Sequence, residues 1–254
     1  MSTLWILLPA YQEAPRLPGL LERWRQTLEG GPAHRFVVVD DGSSDGTREL
    51  IEARAASLPI DLIVHPTNLG LGAALRTGLR HVAERAGPGD QLVIMDADDT
   101  QPPDLYPAMA DQLAAGFDLV IASRYRPGAE VVGLDRRRRL LSLGASWLFR
   151  LRVGIPGVRD YTCGYRLYRA ELIQAGFARW GERFVEREGF ECTADLLLKL
   201  GRDLGARCAE VPLRLDYRAK VGASHMRIGR TVMRTLRLIS GPGARPPGPR
   251  SADR

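Results

Sequence analysis

The sequence predicts an α/β domain built on a mostly parallel, doubly wound sheet flanked by helices. Short apolar runs alternate with helix-period segments from Leu4 to Ala122, and that alternation is the pattern of parallel sheets with crossover helices. Each apolar run also exits into polar residues, at the carboxyl edge where such sheets collect ligands. A chain of 254 residues that is 44% hydrophobic has enough apolar material for one large domain of this kind, or one with a small appendage.

Taken in order, Leu4 to Pro9 is a short apolar strand. Pro15 to Leu28 is a helix with Leu17, Leu20, Leu21, Trp24 and Leu28 on one face. Phe36 to Val39 is a second strand ending in Asp40-Asp41-Gly42. Ser43-Ser44 and Asp45-Gly46-Thr47 then make an N-terminal capping arrangement for a helix through about Ser57. Ile60 to Val64 is the third strand, Gly70 to Arg85 the third helix and the run from Gln91 the fourth strand. Pro103 to Ala115 is the next helix, and Asp118 to Ala122 the fifth strand. The exits carry Pro9-Ala10-Tyr11-Gln12-Glu13, Asp40-Asp41, His65-Pro66-Thr67-Asn68, Asp96-Ala97-Asp98 and Ser123-Arg124-Tyr125. A purely structural sheet needs turns there, but not acids at two exits and an arginine at another.

Net charge is +6 and the pI about 9.6, a balance that favours anionic partners. All but two of the Lys+Arg residues are arginines, the exceptions being Lys199 and Lys220. Genomic base composition produces such a bias without function; equally, the planar guanidinium fork suits phosphate. Cys163, Cys192 and Cys208 form no close pair, so neither a disulfide framework nor a zinc site is indicated, and a reducing compartment fits. The first residues lack a signal-peptide pattern, and no run reaches ~18 apolar residues. Any membrane contact is therefore expected from the side.

Asp96 and Asp98 carry the sharpest chemical reading. Read as an extended segment, Met95 to Asp98 places both carboxylates on one face, where they suit a hard divalent cation completed by substrate phosphate and water. The plain alternative is an acidic turn closing a buried strand. Gly70-Leu71-Gly72-Ala73-Ala74-Leu75 has a dinucleotide flavour, but Leu75 stands where a third glycine or alanine belongs, and close packing of the helix on the sheet is the competing role.

Together, Pro9-Ala10-Tyr11-Gln12-Glu13, Val39-Asp40-Asp41-Gly42-Ser43-Ser44-Asp45-Gly46-Thr47, Asn68-Leu69-Gly70, Asp96-Ala97-Asp98 and Ser123-Arg124-Tyr125 resemble the family 2 glycosyltransferases of the GT-A (nucleotide-diphospho-sugar transferase) fold. Three later stretches are similar to the polyprenyl-phosphate sugar synthases, the dolichol-phosphate mannose synthase type. They are Arg159-Asp160-Tyr161-Thr162-Cys163-Gly164-Tyr165-Arg166, Gly189-Phe190-Glu191, and Tyr217-Arg218 through Gly222-Ala223-Ser224-His225. The resemblance runs to about Ile239. It implies a metal-dependent inverting transfer of a hexose, mannose favoured, from a sugar nucleotide to a polyprenyl or dolichyl phosphate. Pro9, Tyr11, Glu13, Asp41, Asn68, Asp96, Ala97 and Asp98 would bind the nucleotide sugar, with Asp41 reading the base. Asp96 and Asp98 would hold Mg²⁺ or Mn²⁺. Arg124, Arg159, Cys163, Arg218 and Ser224 would receive the acceptor phosphate, and Asp98, Arg124 and Arg159 would act in the transfer. Cys163 stands where the family usually has serine, His225 where it has lysine, and Thr100 where it has a glutamine able to complete the metal shell; Gln101 follows one position late.

Residues 1–225 are expected to form the catalytic domain. Within it, Arg136 to about Val153 makes an amphipathic helix with Leu140, Leu143, Trp147, Leu148 and Leu151 on one face. Residues 226–240 make a basic amphipathic helix, and 241–254 a disordered tail. With the resemblance, the first helix suits an anionic membrane surface on its cytoplasmic side over packing on the sheet, and the second suits partial packing on the catalytic domain together with lipid contact. Two rival functions remain. One is a family 2 transferase with another donor, such as UDP-glucose, or a non-lipid acceptor in polysaccharide synthesis. The other is a basic nucleic-acid-binding protein, disfavoured because the aromatics fall mostly within predicted core segments.

Overall fold

The computed structural model describes residues 2–132, 144, 151–189 and 191–216. The five expected strands are β1 (Thr3–Ala10), β2 (Ala33–Asp40), β3 (Ile60–Val64), β4 (Gln91–Ile94) and β5 (Leu119–Ser123). Helices α1 (Leu17–Thr27), α2 (Thr47–Ala55), α3 (Leu71–Arg85) and α4 (Tyr106–Ala114) lie between them as the periodicity predicts. Beyond β5 come β6 (Glu130–Val132), β7 (Arg166–Arg169), α5 (Ala170–Trp180), α6 (Glu191–Leu197), β8 (Cys208–Pro212) and β9 (Arg214–Asp216). Most of the expected interface helix, the basic C-terminal helix, the tail, and with them Arg218 and Ser224, fall outside the described residues.

The main sheet has the order β3-β2-β1-β4-β7-β5-β8. All pairs are parallel except those of β7, which lies antiparallel between β4 and β5 with Arg166 opposite both Ile94 and Ile121. Because β7 enters from the edge where its neighbours exit, the residues just before Arg166 lie beyond the carboxyl ends of β4 and β5. β6 and β9 form a separate parallel pair, with Val132 opposite Asp216.

The central strands are apolar at successive positions because helices cover both sheet faces. Ile6, Leu7, Leu8 and Phe36 to Val39 are fully buried, each large side chain contributing about 1.5–3 kcal/mol of burial. Helix α1 buries the expected Leu17, Leu20, Leu21 and Trp24, and Trp24 Nε1 reaches Met95 Sδ at 3.0 Å, just past β4. Strand β4 ends at Ile94, so Met95 to Thr100 is a turn rather than an extended segment. The pleat therefore does not aim Asp96 and Asp98, contrary to the strand-alternation expectation, and the turn's own hydrogen bonds do.

Helix α3 resolves the glycine motif at its start. Gly72 N–H donates to Glu188 O at 2.9 Å, and a Cβ on Gly72 would stand 1.8 Å from Arg187 O. The helix start is thus covered by the backbone of residues 187 and 188, so Gly72 packs against that segment and not, as expected, on the sheet. Gly72→Ala is expected to cost about 1–3 kcal/mol by forcing the 186–189 segment off the helix. Urea denaturation measures this, and parental stability in the variant would contradict the contact.

Candidate active site

The loop after β1 is held by side chains of the loop after β2. Gln12 N–H donates to Ser43 Oγ at 3.0 Å, Glu13 N–H to Thr47 Oγ1 at 2.9 Å and Ala14 N–H to Asp45 Oδ2 at 3.1 Å. Asp45 Oδ1 also accepts Thr47 N–H at 3.1 Å just before α2, although the N-cap itself is Gly46, with no side-chain cap, where the sequence led us to expect one. Glu13 is further paired with Arg16 at 2.7 Å. Burial by itself would raise the Asp45 carboxyl, but its Thr47 and Ala14 hydrogen bonds outweigh that and lower it.

Asp41, the residue just past β2, is almost fully buried. Its Oδ1 lies 2.7 Å from His65 Nδ1 and accepts Leu69 N–H at 3.0 Å, while Oδ2 accepts Gly70 N–H at 2.8 Å. His65 Nε2 lies 2.9 Å from Thr77 Oγ1 on α3. This network fits a ring protonated at Nδ1 that accepts from the threonine. Gly42, at φ +73°, lets the next turn pass the Thr67–Asn68 backbone, which a Cβ would meet at 2.5 Å. A carboxylate offers about four acceptor directions, so the chain's own donors leave Asp41 at most one for a ligand.

In the turn after β4, Thr100 closes on Asp98, with its N–H at 3.2 Å and Oγ1 at 2.6 Å from Oδ1. Gln101 closes on Asp96: Oε1 accepts Asp96 N–H at 3.1 Å, and Nε2 donates to Oδ2 at 2.9 Å. Asp99 adopts φ +57°, and Arg23 Nη2 of α1 bonds its carbonyl at 3.0 Å as well as its carboxylate. Among the described residues no three His, Cys, Asp or Glu side chains group as a metal cage. Two half-buried carboxylates with oxygen donors only do fit a hard cation that draws the rest of its shell from phosphate and water.

On the other side stands the loop before β7. Asp160 is fully buried and pairs with Arg124 through Nε–Oδ2 at 2.8 Å and Nη2–Oδ1 at 2.7 Å. It also accepts the N–H groups of Arg124, Thr162 and Cys163 at 3.1, 3.2 and 3.1 Å. Burial works to raise its carboxyl, but the Arg124 charge and hydrogen bonds prevail and hold it below the ordinary range. Arg124 thus holds the loop through Asp160 and Thr162 with its Nε and Nη2 donors. Glu210 Oε1 on β8 accepts the N–H groups of Arg159 and Asp160 at 2.6 and 2.7 Å. Burial raises the Glu210 carboxyl against those donors, and its Oε2 has no partner among the described residues. The Cys163 thiol is buried and pushed up to about 12 chiefly by that burial, so it stays protonated. Arg159 is half-buried and lines a cavity of about 390 Å³ with Arg126, Ile155, Pro156, Val158 and Tyr161.

The structure thus places Pro9, Tyr11, Glu13, Asp41, Asn68, Asp96, Ala97 and Asp98 at one carboxyl edge, with Arg124, Arg159 and Cys163 in or beside the loop at the ends of β4 and β5. Sequence reasoning gave no role to Asp160, Glu210, His65 or Thr47, which hold these residues in place. Asp160 was visible beside Arg159; nothing local marks Glu210, which lies 50 residues beyond Asp160 in the chain.

A mostly parallel sheet with acidic residues and an arginine-bearing loop at its carboxyl edge is the architecture of the GT-A glycosyltransferase fold. The family model described as glycosyl transferase family 2 matches residues 5–177, and the chain belongs to that family. It is 35% identical over 221 residues to the undecaprenyl-phosphate mannosyltransferase of Micrococcus luteus, covering 87% of this chain and 86% of that protein. It is 34% identical over 223 residues to the polyprenol monophosphomannose synthase of Mycolicibacterium smegmatis, covering 87% and 80%. In fold it is similar to glucosyl-3-phosphoglycerate synthase from Mycobacterium tuberculosis in complex with Mn²⁺, UDP and phosphoglyceric acid. The TM-score is 0.64 at 22% identity over 94% of this chain and 79% of that one. The protein is a glycosyltransferase of the polyprenyl-phosphate mannosyltransferase-like kind.

Since the folded value of Asp160 lies below the ordinary ~3.9, its stabilisation is present above that pH and lost as pH falls through the folded value. Asp160→Asn is expected to cost on the order of 3 kcal/mol at pH 7 and to flatten the acid limb of thermal stability. Glu210 runs the opposite way: its raised carboxyl stabilises the fold at low pH, an advantage lost as pH rises through its folded value. Glu210→Gln is therefore expected to gain stability at pH 7 relative to pH 4. Thermal unfolding from pH 3 to 8 tests both, and acid limbs indistinguishable from the parent's would contradict these assignments.

Proposed function

We propose that this protein transfers a hexose, mannose in the first instance, from a sugar nucleotide to a polyprenyl phosphate with inversion, using Mg²⁺ or Mn²⁺. The observation that carries the reading is the insertion of β7, which brings the Arg159–Gly164 loop against the turn after β4. A Cβ on Gly164 would meet Asp96 Oδ1 at 3.8 Å. Asp96 thereby lies beside Gly164, and Arg159 of the same loop lines a cavity with Arg126 and Tyr161. The two bacterial relatives support the lipid acceptor by their names, and the structural neighbour that holds Mn²⁺ with UDP supports the metal.

A monoalkyl phosphate carries about −1.5 to −2 charges at pH 7, so its oxygen attacks without a general base. The chain's task is alignment and charge stabilisation. Asp96 and Asp98 would hold the cation, which supplies neutralisation of the departing diphosphate when bound. Pro9, Tyr11, Glu13, Asn68 and Ala97 line the nucleotide side, where Asp41 acts chiefly by fixing Leu69 and Gly70. Arg159 grips the acceptor phosphate, with Arg218 and Ser224 assigned to it by resemblance, while Arg124 and the Cys163 N–H shape the loop through Asp160.

Lipid access is proposed from the cytoplasmic face of a membrane. No helix among the described residues is long and apolar enough to cross one. Val132 pairs with Asp216, so the segments that lead on to the 136–153 and 226–240 stretches leave the described residues from neighbouring positions. Leu151, at the end of the first stretch, is 59% exposed, as an interface-facing side chain requires.

The test offers GDP-mannose and UDP-glucose with a polyprenyl phosphate and Mn²⁺ or Mg²⁺, and follows labelled sugar into the organic phase. Mannose transfer is the expected result, glucose transfer alone corrects the donor, and no lipid-linked sugar from either overturns the proposal. Arg159→Ala is expected to raise the KM for the lipid phosphate about tenfold or more, the loss of a charged hydrogen bond, and to spare sugar-nucleotide binding. Equal loss of both would remove Arg159 from the acceptor side.

A further inference from the structure

The turn after β4 answers the question posed by its displaced glutamine. Gln101 is only 5% exposed, and both polar atoms of its side chain are turned to one residue, Oε1 to Asp96 N–H at 3.1 Å and Nε2 to Asp96 Oδ2 at 2.9 Å. The amide orientation is set by this pair, since a flip would face donor to donor and oxygen to oxygen. Oε1, the atom of this side chain that a hard cation would take, already spends one of its two lone pairs on the backbone it closes on. Arg23 braces the same turn from α1, reaching Asp99 O at 3.0 Å and Gln101 O at 3.4 Å. The left-handed Asp99 is held between these two clamps.

We propose that Gln101 is a positioning residue that orients the Asp96 carboxylate toward the donor's divalent cation and is not itself a ligand of that cation. The inference rests on the metal reading given above. Gln101 closes a ring on both the backbone and the carboxylate of Asp96, which leaves the carboxylate little freedom to rotate. A cation arriving with a diphosphate then meets an oxygen already aimed, and the ordering cost is met during folding rather than binding.

The experiment titrates Mn²⁺ into the full chain with GDP, and in parallel with UDP, at pH 8, reading free Mn²⁺ by electron paramagnetic resonance without turnover. Gln101→Leu removes both bonds; Gln101→Glu keeps the shape and the acceptor for Asp96 N–H but sets a second carboxylate against Oδ2. Both are expected to weaken Mn²⁺ binding by about tenfold or more, the usual effect of losing an outer partner of a ligand. A ligand role predicts otherwise, because a carboxylate oxygen is the stronger donor. Gln101→Glu would then bind Mn²⁺ at least as tightly as the parent, which would overturn the proposal. Unchanged affinity in both variants would reduce Gln101 to a packing role and overturn it too. If the leucine variant fails to fold, the glutamate variant decides alone. Parental binding no stronger than that of Asp96→Ala/Asp98→Ala would sink the metal reading and this inference together.

Discussion

The antiparallel entry of β7 between β4 and β5 is the constraint on which the rest of the site depends. A fully parallel sheet would return each segment through a crossover and leave the ends of β4 and β5 facing only their own loops. With β7 inserted, Ile94 and Ile121 share Arg166 as a partner, and the preceding loop lies across both strand ends. Arg166 locks the arrangement: it is buried, and its guanidinium bonds the carbonyls of Thr193 and Tyr161, joining β7 to α6 and to that loop. The Arg159–Gly164 loop comes beside Asp96 because one short strand runs backwards.

Irregular loops at a sheet edge are held here largely by carboxylates that accept backbone N–H groups. Asp41 takes Leu69 and Gly70, Asp45 takes Ala14 and Thr47, Asp160 takes Arg124, Thr162 and Cys163, and Glu210 takes Arg159 and Asp160. Each satisfies donors that a loop cannot pair with itself, since buried backbone groups left unpaired are costly. Acids that look like ligands in the sequence are thus divided between two tasks. Asp41, Asp45, Asp160 and Glu210 build the loops, whereas Asp96 and Asp98 sit on the built turn.

The arginines divide similarly. Arg124 is bidentate to Asp160 and Arg166 is bonded to carbonyls, while Arg159 has its backbone fixed by Glu210 and its side chain at a cavity. A guanidinium committed to a buried carboxylate has little net charge left to offer a phosphate, because the pair is nearly neutral at short range. Arginine content alone therefore overstates how many residues face an anion.

The sequence by itself determined the class of fold and most elements of the first half. Five strands and four helices stand where hydrophobic period, prolines and glycines put them, because those signals are local and act within a few residues. It also determined which motifs belong together, since the ordered exits from Pro9 to Tyr125 and the Arg159 loop carry the family resemblance. Tertiary structure alone decided how they meet. The direction of β7, the commitment of Arg124 to Asp160 across 36 residues, the reach of Glu210 across 50 and the Arg23 brace on the turn after β4 across 76 all depend on contacts far apart in the chain. Pleat alternation failed at Asp96 for a more local reason: β4 stops at Ile94, and beyond it Gln101 and Thr100 close on Asp96 and Asp98 in place of the strand's period.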